Sequence, residues 1–103
     1  MKKEFFGRMP GGAEVYLYSL QSEDCEVKIM NKGATVHSFV AYGTDVVGGF
    51  DTLEAYLADD SHQGGTIGRV ANRIADAEFT LDGAMYMLPD NDSGNCLHGG
   101  AGF

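Results

Sequence analysis

The pattern of apolar and polar residues predicts β-strands, and Cys25 to Ile29 alternates with the period of two that half-buried strands require. Three predicted runs follow one another: Glu14 to Leu20, which is rich in β-forming residues, Cys25 to Ile29, and Ala34 to Val40. Glycines or polar residues separate them, which favours turns between consecutive strands. In the second run the alternation predicts Cys25, Val27 and Ile29 on the core face.

The sharpest local pattern predicts a β-hairpin near the C-terminus. Two β-prone runs, Glu78 to Leu81 and Ala84 to Leu88, flank the dipeptide Asp82-Gly83. Asp-Gly favours a two-residue turn with positive φ at both positions, and the twist of that turn matches the twist of the strands it joins.

One short segment has a helical pattern. Thr52 is placed to cap a helix that carries Leu53, Tyr56 and Leu57, and Glu54 would lie in its first turn, where a negative charge is favourable. The predicted fold is therefore all-β, with antiparallel strands and one short helix.

Composition agrees with a small β-rich domain. A length of 103 residues allows one domain, spanning residues 1–103, and 44% hydrophobic residues argue against disorder. Fifteen glycines against two prolines favour short strands joined by tight turns.

The acidic charge balance narrows the range of partners. Fifteen acidic and seven basic side chains give a net charge of -8. Such a field repels phosphate backbones and anionic lipids, so neither nucleic acid nor a membrane is expected as a partner. Neutral sugars are not repelled, and solubility explains the charge equally well.

The cysteines and the N-terminus favour the cytoplasm. Cys25 and Cys96 are too few for a disulfide scaffold and stand in no metal-ligand spacing. Met1 to Gly7 contains no apolar run of the length of a signal peptide, and no stretch approaches the roughly 20 apolar residues that cross a bilayer. A soluble cytoplasmic protein is the prediction.

Two clusters contain the candidate chemistry. The first, Gly68 to Ile74, contains Asn72 and Arg73, whose donors suit vicinal hydroxyl groups, although on residue types alone arginine pairing with nearby acids is the more ordinary interpretation. The second contains His98, the side chain best suited to proton transfer near neutral pH, followed by glycines that allow close backbone approach. Cys96, two residues earlier, is an alternative nucleophile, but nothing in the sequence indicates an activated thiol.

Three motifs in a fixed order carry a resemblance to a known family. They are Gly68 to Ile74, as Gly-Arg-x-Ala-Asn-Arg-Ile; the hairpin residues Phe79, Leu81, Asp82, Gly83, Tyr86 and Leu88; and Asn95, Leu97, His98, Gly99 and Gly100, with Gly102-Phe103 beginning a closing segment. Together they resemble the aldose 1-epimerase family, and upstream segments resemble it as well.

The resemblance implies the N-terminal part of a galactose mutarotase-like β-sandwich with the sugar in an open cleft. It implies that Asn72 and Arg73 bind sugar hydroxyls and that His98 is the first active-site histidine. The family interconverts the α and β anomers of aldoses such as galactose and glucose by acid–base ring opening, with no metal and no organic cofactor.

The resemblance also implies an incomplete site. The family's second histidine and its glutamate base have no counterpart in these 103 residues. We therefore expect little or no epimerase activity from this chain alone, and self-association through exposed sheet edges. The alternatives are a non-catalytic carbohydrate-binding module and a truncated β-scaffold of the same fold.

Overall fold

A computed structural model describes residues 1–100, which fall into two compact units, Met1–Thr66 and a second that begins at Ile67. The first contains five strands and a helix, and the second contains four short strands and a 3-10 turn. In chain order the elements are β1 (Lys2–Arg8), β2 (Glu14–Gln21), β3 (Cys25–Met30), β4 (Val36–Ala41), β5 (Thr44–Asp45), α1 (Leu53–Ala58), β6 (Arg73–Ile74), the 3-10 turn (Ala75–Ala77), β7 (Glu78–Leu81), β8 (Ala84–Met87) and β9 (Cys96–Leu97).

Antiparallel pairing confirms the all-β prediction. The strands of the first unit pair in the order β1-β2-β3-β4-β5, so each strand lies beside its neighbour in sequence. In the second unit β7 pairs with β8 and β6 pairs with β9. The three predicted strand runs correspond to β2, β3 and β4, whereas β1 was not predicted from the sequence. No helix within residues 1–100 has the length and apolar character needed to span a membrane.

The core of the first unit lies between the sheet and the single helix. Val15 and Leu17 of β2, Met30 of β3 and Leu53 of α1 are at most 3% exposed and form one cluster. Thr52 caps the helix as predicted, because its Oγ1 accepts a hydrogen bond from the backbone N–H of Ala55 over 3.2 Å.

The predicted core face of β3 is wrong for this unit. Met30 lies opposite Leu17 and is buried, whereas Ile29 lies opposite Tyr18 on the other face. Cys25 and Val27 share the face of Ile29, and all three are only half-buried. Alternation establishes which residues share a face, but the face that becomes covered is decided by the helix, whose Leu53 packs against Met30.

The predicted hairpin is confirmed at the register expected. Glu78 pairs with Met87 and Leu81 pairs with Ala84, so Asp82 and Gly83 form the two-residue turn, with φ of 51° and 78°. Positive φ at both positions is the geometry that Asp-Gly favours. The prediction of a single domain over residues 1–103 stays a prediction.

Candidate functional site

A short ladder in the second unit brings the two candidate clusters together. Arg73 of β6 pairs with Leu97 of β9, and Ile74 pairs with Cys96. The next pair in the same register is Asn72 and His98, joined by a 2.9 Å hydrogen bond from the His98 N–H to the Asn72 carbonyl. The residues that the sequence analysis selected, 26 positions apart, are therefore direct neighbours.

A second hydrogen bond joins this pair through the imidazole. The backbone N–H of Asn72 donates to Nδ1 of His98 over 3.0 Å. A backbone N–H can only donate, so Nδ1 accepts and carries no proton. The neutral imidazole then carries its proton on Nε2, which makes Nε2 a hydrogen-bond donor.

The side chain of Asn72 is oriented by its neighbour. Its Oδ1 accepts a hydrogen bond from the backbone N–H of Arg73 over 2.9 Å, which leaves the amide NH2 as the group able to donate elsewhere. Asn72 has a φ of 66°, in the left-handed region that asparagine tolerates better than most residues.

Arg73 forms an ion pair with Asp92. Its Nε donates to Oδ2 of Asp92, and the two side chains are 56% and 28% exposed. Within residues 1–100 the terminal guanidinium nitrogens make no hydrogen bond, so the most polar end of the side chain keeps its donors. The sequence analysis allowed for pairing with an acid but did not identify Asp92.

His98 lies in a tight turn whose geometry depends on glycine. Leu97 accepts a 3.0 Å hydrogen bond from the N–H of Gly100, and φ is 54° at His98 and 77° at Gly99. Gly100 is buried with a φ of 99°, and a Cβ there would lie 2.9 Å from Cγ of Pro89. The two glycines of the motif therefore shape the turn that presents the histidine.

A polar loop supports the ladder from the other side. Oδ1 of Asn91 accepts a 2.7 Å hydrogen bond from the N–H of Leu97, and Nδ2 of Asn91 donates a 2.9 Å hydrogen bond to the Leu97 carbonyl. The side chain thus bonds to Leu97 as a neighbouring strand would. Asp90 accepts from the N–H of Gly94 over 2.8 Å. This segment was not singled out from the sequence, although its density of Asp and Asn is the signal of side chains that bond to backbone.

Cys96 is 0% exposed within β9. Full burial in the ladder places the thiol away from any bound substrate, which is the position of a structural cysteine rather than of an attacking thiolate. Gly102 and Phe103, which begin the closing segment of the third motif, lie outside the described residues.

The geometry as a whole presents hydrogen-bond donors. Asn72 offers its NH2 and Arg73 its terminal nitrogens, the neutral His98 imidazole carries its proton on Nε2, and the Asp92 carboxylate is engaged by Arg73. Such a set can bind and polarise oxygen atoms of a neutral ligand. Within residues 1–100, none of the three contributes a group suited to removing a proton from a hydroxyl at this place.

Comparisons with known proteins show which family this chain resembles. The family model of aldose 1-epimerase matches residues 16–102. The galactose mutarotase of Bos taurus is 45% identical over 101 residues, and that of Homo sapiens is 43% identical over 101 residues. Each alignment covers 92% of this chain but only 30% of the relative, so the chain spans about a third of the length of these proteins.

Solved structures show the same fold. Galactose 1-epimerase from Lactobacillus acidophilus NCFM superposes with a TM-score of 0.81 at 28% identity, over 98% of this chain and 31% of that one. A GalM/aldose epimerase homologue from C. elegans superposes with a TM-score of 0.76 at 30% identity, over 82% of this chain and 28% of that one. The predicted galactose mutarotase-like β-sandwich, in its N-terminal part, is thereby confirmed. On the family match and these relatives together, the chain belongs to the aldose 1-epimerase family.

Proposed function

We propose that the protein acts in the interconversion of α and β anomers of aldoses such as galactose or glucose, and that Asn72, Arg73 and His98 hold the sugar. The observation that carries this proposal is the pair of hydrogen bonds between Asn72 and His98, because it joins the two candidate clusters and fixes the imidazole. Membership in the aldose 1-epimerase family supports the reaction class.

Ring opening of a pyranose defines the roles of these groups. A base removes the proton from the C1 hydroxyl while an acid protonates the ring oxygen, and the opened chain recloses on either face after rotation about the C1–C2 bond. Two groups of opposite role must therefore flank the ring. His98, with its proton on Nε2, serves on the donating side, where it orients and polarises a sugar oxygen.

Asn72 and Arg73 serve binding rather than proton transfer in this proposal. Their amide and guanidinium donors face hydroxyl groups, which accept hydrogen bonds through two lone pairs. The proton acceptor comes from outside residues 1–100, in keeping with the glutamate base that the family resemblance implies. We therefore infer that this chain binds the sugar and that its epimerase rate alone is low.

A non-catalytic carbohydrate-binding module is the second candidate. One observation favours it: the three candidate residues present donors, and the carboxylate that contacts them, Asp92, is paired with Arg73. A module of this kind would bind a sugar without accelerating its mutarotation.

The test is exchange between the α and β anomers of galactose, followed by NMR, together with the changes that galactose causes in the amide spectrum of the chain. His98→Asn is the informative variant because asparagine tolerates the φ of 54° at this position, so the turn is preserved. His62→Asn, in the exposed loop after α1, is the matched control. We expect galactose to shift the amide signals of Asn72 and His98 in the wild type and the control, and to leave the Asn72 signal unshifted in His98→Asn.

The rates separate the two candidates. Acceleration of anomer exchange that is lost in His98→Asn supports an enzyme, and binding without acceleration supports the binding module. Absence of any galactose-dependent change at Asn72, Arg73 and His98 in a folded sample would refute both.

A further inference from the structure

We propose that Asp92 is a positioning residue, which holds the guanidinium of Arg73 in the orientation that receives sugar hydroxyls. The inference rests on the proposed function, which assigns sugar binding to Arg73. It begins from the ion pair between Nε of Arg73 and Oδ2 of Asp92.

The choice of nitrogen is the first argument. A carboxylate that binds both terminal nitrogens would occupy the outer N–H edge of the guanidinium, which is the edge that a ligand needs. Asp92 instead uses Nε, at the inner edge of the group, and within residues 1–100 the terminal nitrogens keep their donors. Because the guanidinium is planar, fixing Nε limits rotation and sets the direction of the outer donors.

The anchoring of Asp92 is the second argument. Its backbone exchanges two hydrogen bonds with Asn95. The Asp92 N–H donates to the Asn95 carbonyl over 3.1 Å, and the Asn95 N–H donates to the Asp92 carbonyl over 3.0 Å. Asn95 in turn accepts at Oδ1 from the N–H of Asp76 over 3.1 Å. The carboxylate therefore stands on a turn that is tied to the segment after β6, and its position is set independently of Arg73.

The connection to His98 is the third argument. Asn91, next to Asp92, bonds through its side chain to both backbone groups of Leu97, the residue before His98. The loop thus contacts Arg73 through Asp92 and supports the histidine through Asn91. One loop sets the relative placement of two of the three proposed sugar contacts.

Preorganisation explains why such a clamp benefits sugar binding. A free arginine side chain loses rotamer freedom, at a cost in free energy, when a ligand immobilises it. Asp92 restricts the Arg73 side chain before the ligand arrives, so that binding loses less rotamer freedom. Its carboxylate also compensates the positive charge of the guanidinium, which a neutral sugar cannot do. The pair is 56% and 28% exposed, so we expect a modest effect rather than an essential one.

The experiment observes Arg73 directly. The Nε–H signal of Arg73 is followed by ¹⁵N NMR in wild type, in Asp92→Asn and in Asp90→Asn, and galactose affinity is measured by titration of the same samples. Asp90→Asn is the matched control, since it removes a carboxylate from the same loop while its Oδ1 acceptor for Gly94 can be retained. Backbone signals of Asn72 and His98 report whether the ladder is intact.

We expect a resolved Arg73 Nε–H signal in wild type and in Asp90→Asn. In Asp92→Asn it should shift and exchange faster with water, and galactose affinity should fall roughly fivefold. An Arg73 signal that is the same in all three proteins overturns the inference, as does unchanged affinity in Asp92→Asn when the Arg73 signal has moved.

Two further outcomes are decisive as well. If wild type binds no galactose, the proposed function fails. The clamp of Arg73 by Asp92 is then judged by the NMR signal alone: an Arg73 signal that does not respond to Asp92→Asn overturns it, and a signal that responds supports it. If Asp92→Asn disrupts the ladder, Asp92→Glu replaces it: the charge is kept on a longer arm, so a displaced Arg73 signal supports the clamp and an unmoved one contradicts it.

Discussion

The backbone N–H of Asn72 donates to Nδ1 of His98, and the N–H of His98 donates to the carbonyl of Asn72. Each residue is thus donor and acceptor to the other, and both have a positive φ. Non-glycine residues in that region cost about 1–3 kcal/mol each unless their surroundings hold them there. The two hydrogen bonds are part of what holds these residues in place.

The state of His98 is the first prediction. Because Asn72 donates to Nδ1, the neutral imidazole should carry its proton on Nε2. Long-range ¹H–¹⁵N NMR correlations distinguish the two tautomers near pH 8. A proton found on Nδ1 would contradict the described hydrogen bond and remove the donor role that we propose for Nε2.

The turn after His98 gives the second prediction. Gly100→Ala places a Cβ 2.9 Å from Cγ of Pro89, at a φ of 99°. Gly94→Ala is a close control, with a φ of 93° and no atom within 4 Å of the added carbon. Both should lose about 1–2 kcal/mol for left-handed backbone, and Gly100→Ala about 1–3 kcal/mol more for overpacking. Urea unfolding followed by circular dichroism measures the difference, and equal losses would show that the Pro89 contact is relieved without cost.

Core packing in the first unit gives the third prediction. Leu53 is 0% exposed and Leu57, in the same helix, is 37% exposed. Leu53→Ala should lower the free energy of unfolding by about 2–5 kcal/mol through lost burial and the cavity left behind. Leu57→Ala should lower it by less than about 1 kcal/mol. Urea titrations followed by tyrosine fluorescence compare them, and similar losses would contradict the assignment of the core.

The fourth prediction concerns pH and His37. Its Nδ1 lies 2.9 Å from the hydroxyl of Tyr56, and its ring packs against Phe6 at 5.1 Å. Burial, and secondly the charge of Lys28, lowers the pKa of His37. Asp45, Glu4 and Asp51 act in the opposite direction on this pKa without cancelling the shift.

The sign follows from linkage. Above the ordinary histidine pKa of about 6.5, His37 is neutral in both the folded and the unfolded chain, and its protonation does not lower the free energy of unfolding. As pH falls from there toward the lowered folded pKa, the unfolded chain takes up the proton first, so the free energy of unfolding decreases. Stability measured from pH 7.5 to 5.0 should fall less in His37→Gln than in wild type. Identical slopes in the two proteins would exclude His37 as the source.

Self-association is the fifth prediction. Met85 and Met87 of β8 are 63% and 70% exposed, and Leu81 of β7 is 55% exposed. Within residues 1–100 the hairpin pairs with no third strand, and exposed edges of this kind with apolar side chains favour pairing with another chain. Sedimentation velocity at tens of micromolar should show species larger than a monomer.

A matched pair of variants tests the surface responsible. Replacing Met85 and Met87 together by lysine should shift the chain toward monomer. Val46→Lys, also at an exposed apolar residue but outside the hairpin, should not. A wild-type chain that stays monomeric across this concentration range would contradict the prediction.

Local signals were sufficient to predict some of these elements. Asp82-Gly83 requires no distant contact to favour its turn, and the Thr52 side chain caps a helix that begins at the next residue. Both therefore could be predicted from a few consecutive residues, because their causes lie within those residues.

Other features depend on what packs where. The burial of Met30 in place of Ile29 follows from the position of Leu53, more than 20 residues away in sequence, and no alternation pattern contains that information. The β6–β9 ladder is only two residues long, too short to stand out as strands in the sequence. The resemblance to a family supplied the residues of the site, but the tautomer of His98 and the pairing of Arg73 with Asp92 required coordinates.

The hydrogen bonds around the site join residues that lie close together in the sequence, and this affects when they can form during synthesis of the chain. Those described here join residues at most 26 positions apart, from Asn72 to His98. Closing loops of this length costs little more than closing much shorter ones, since the entropy grows only with the logarithm of length. In relatives about three times as long, the segment that corresponds to this chain leaves the ribosome while most of the protein has still to be made, so a ladder of this kind can form before the rest of the protein exists.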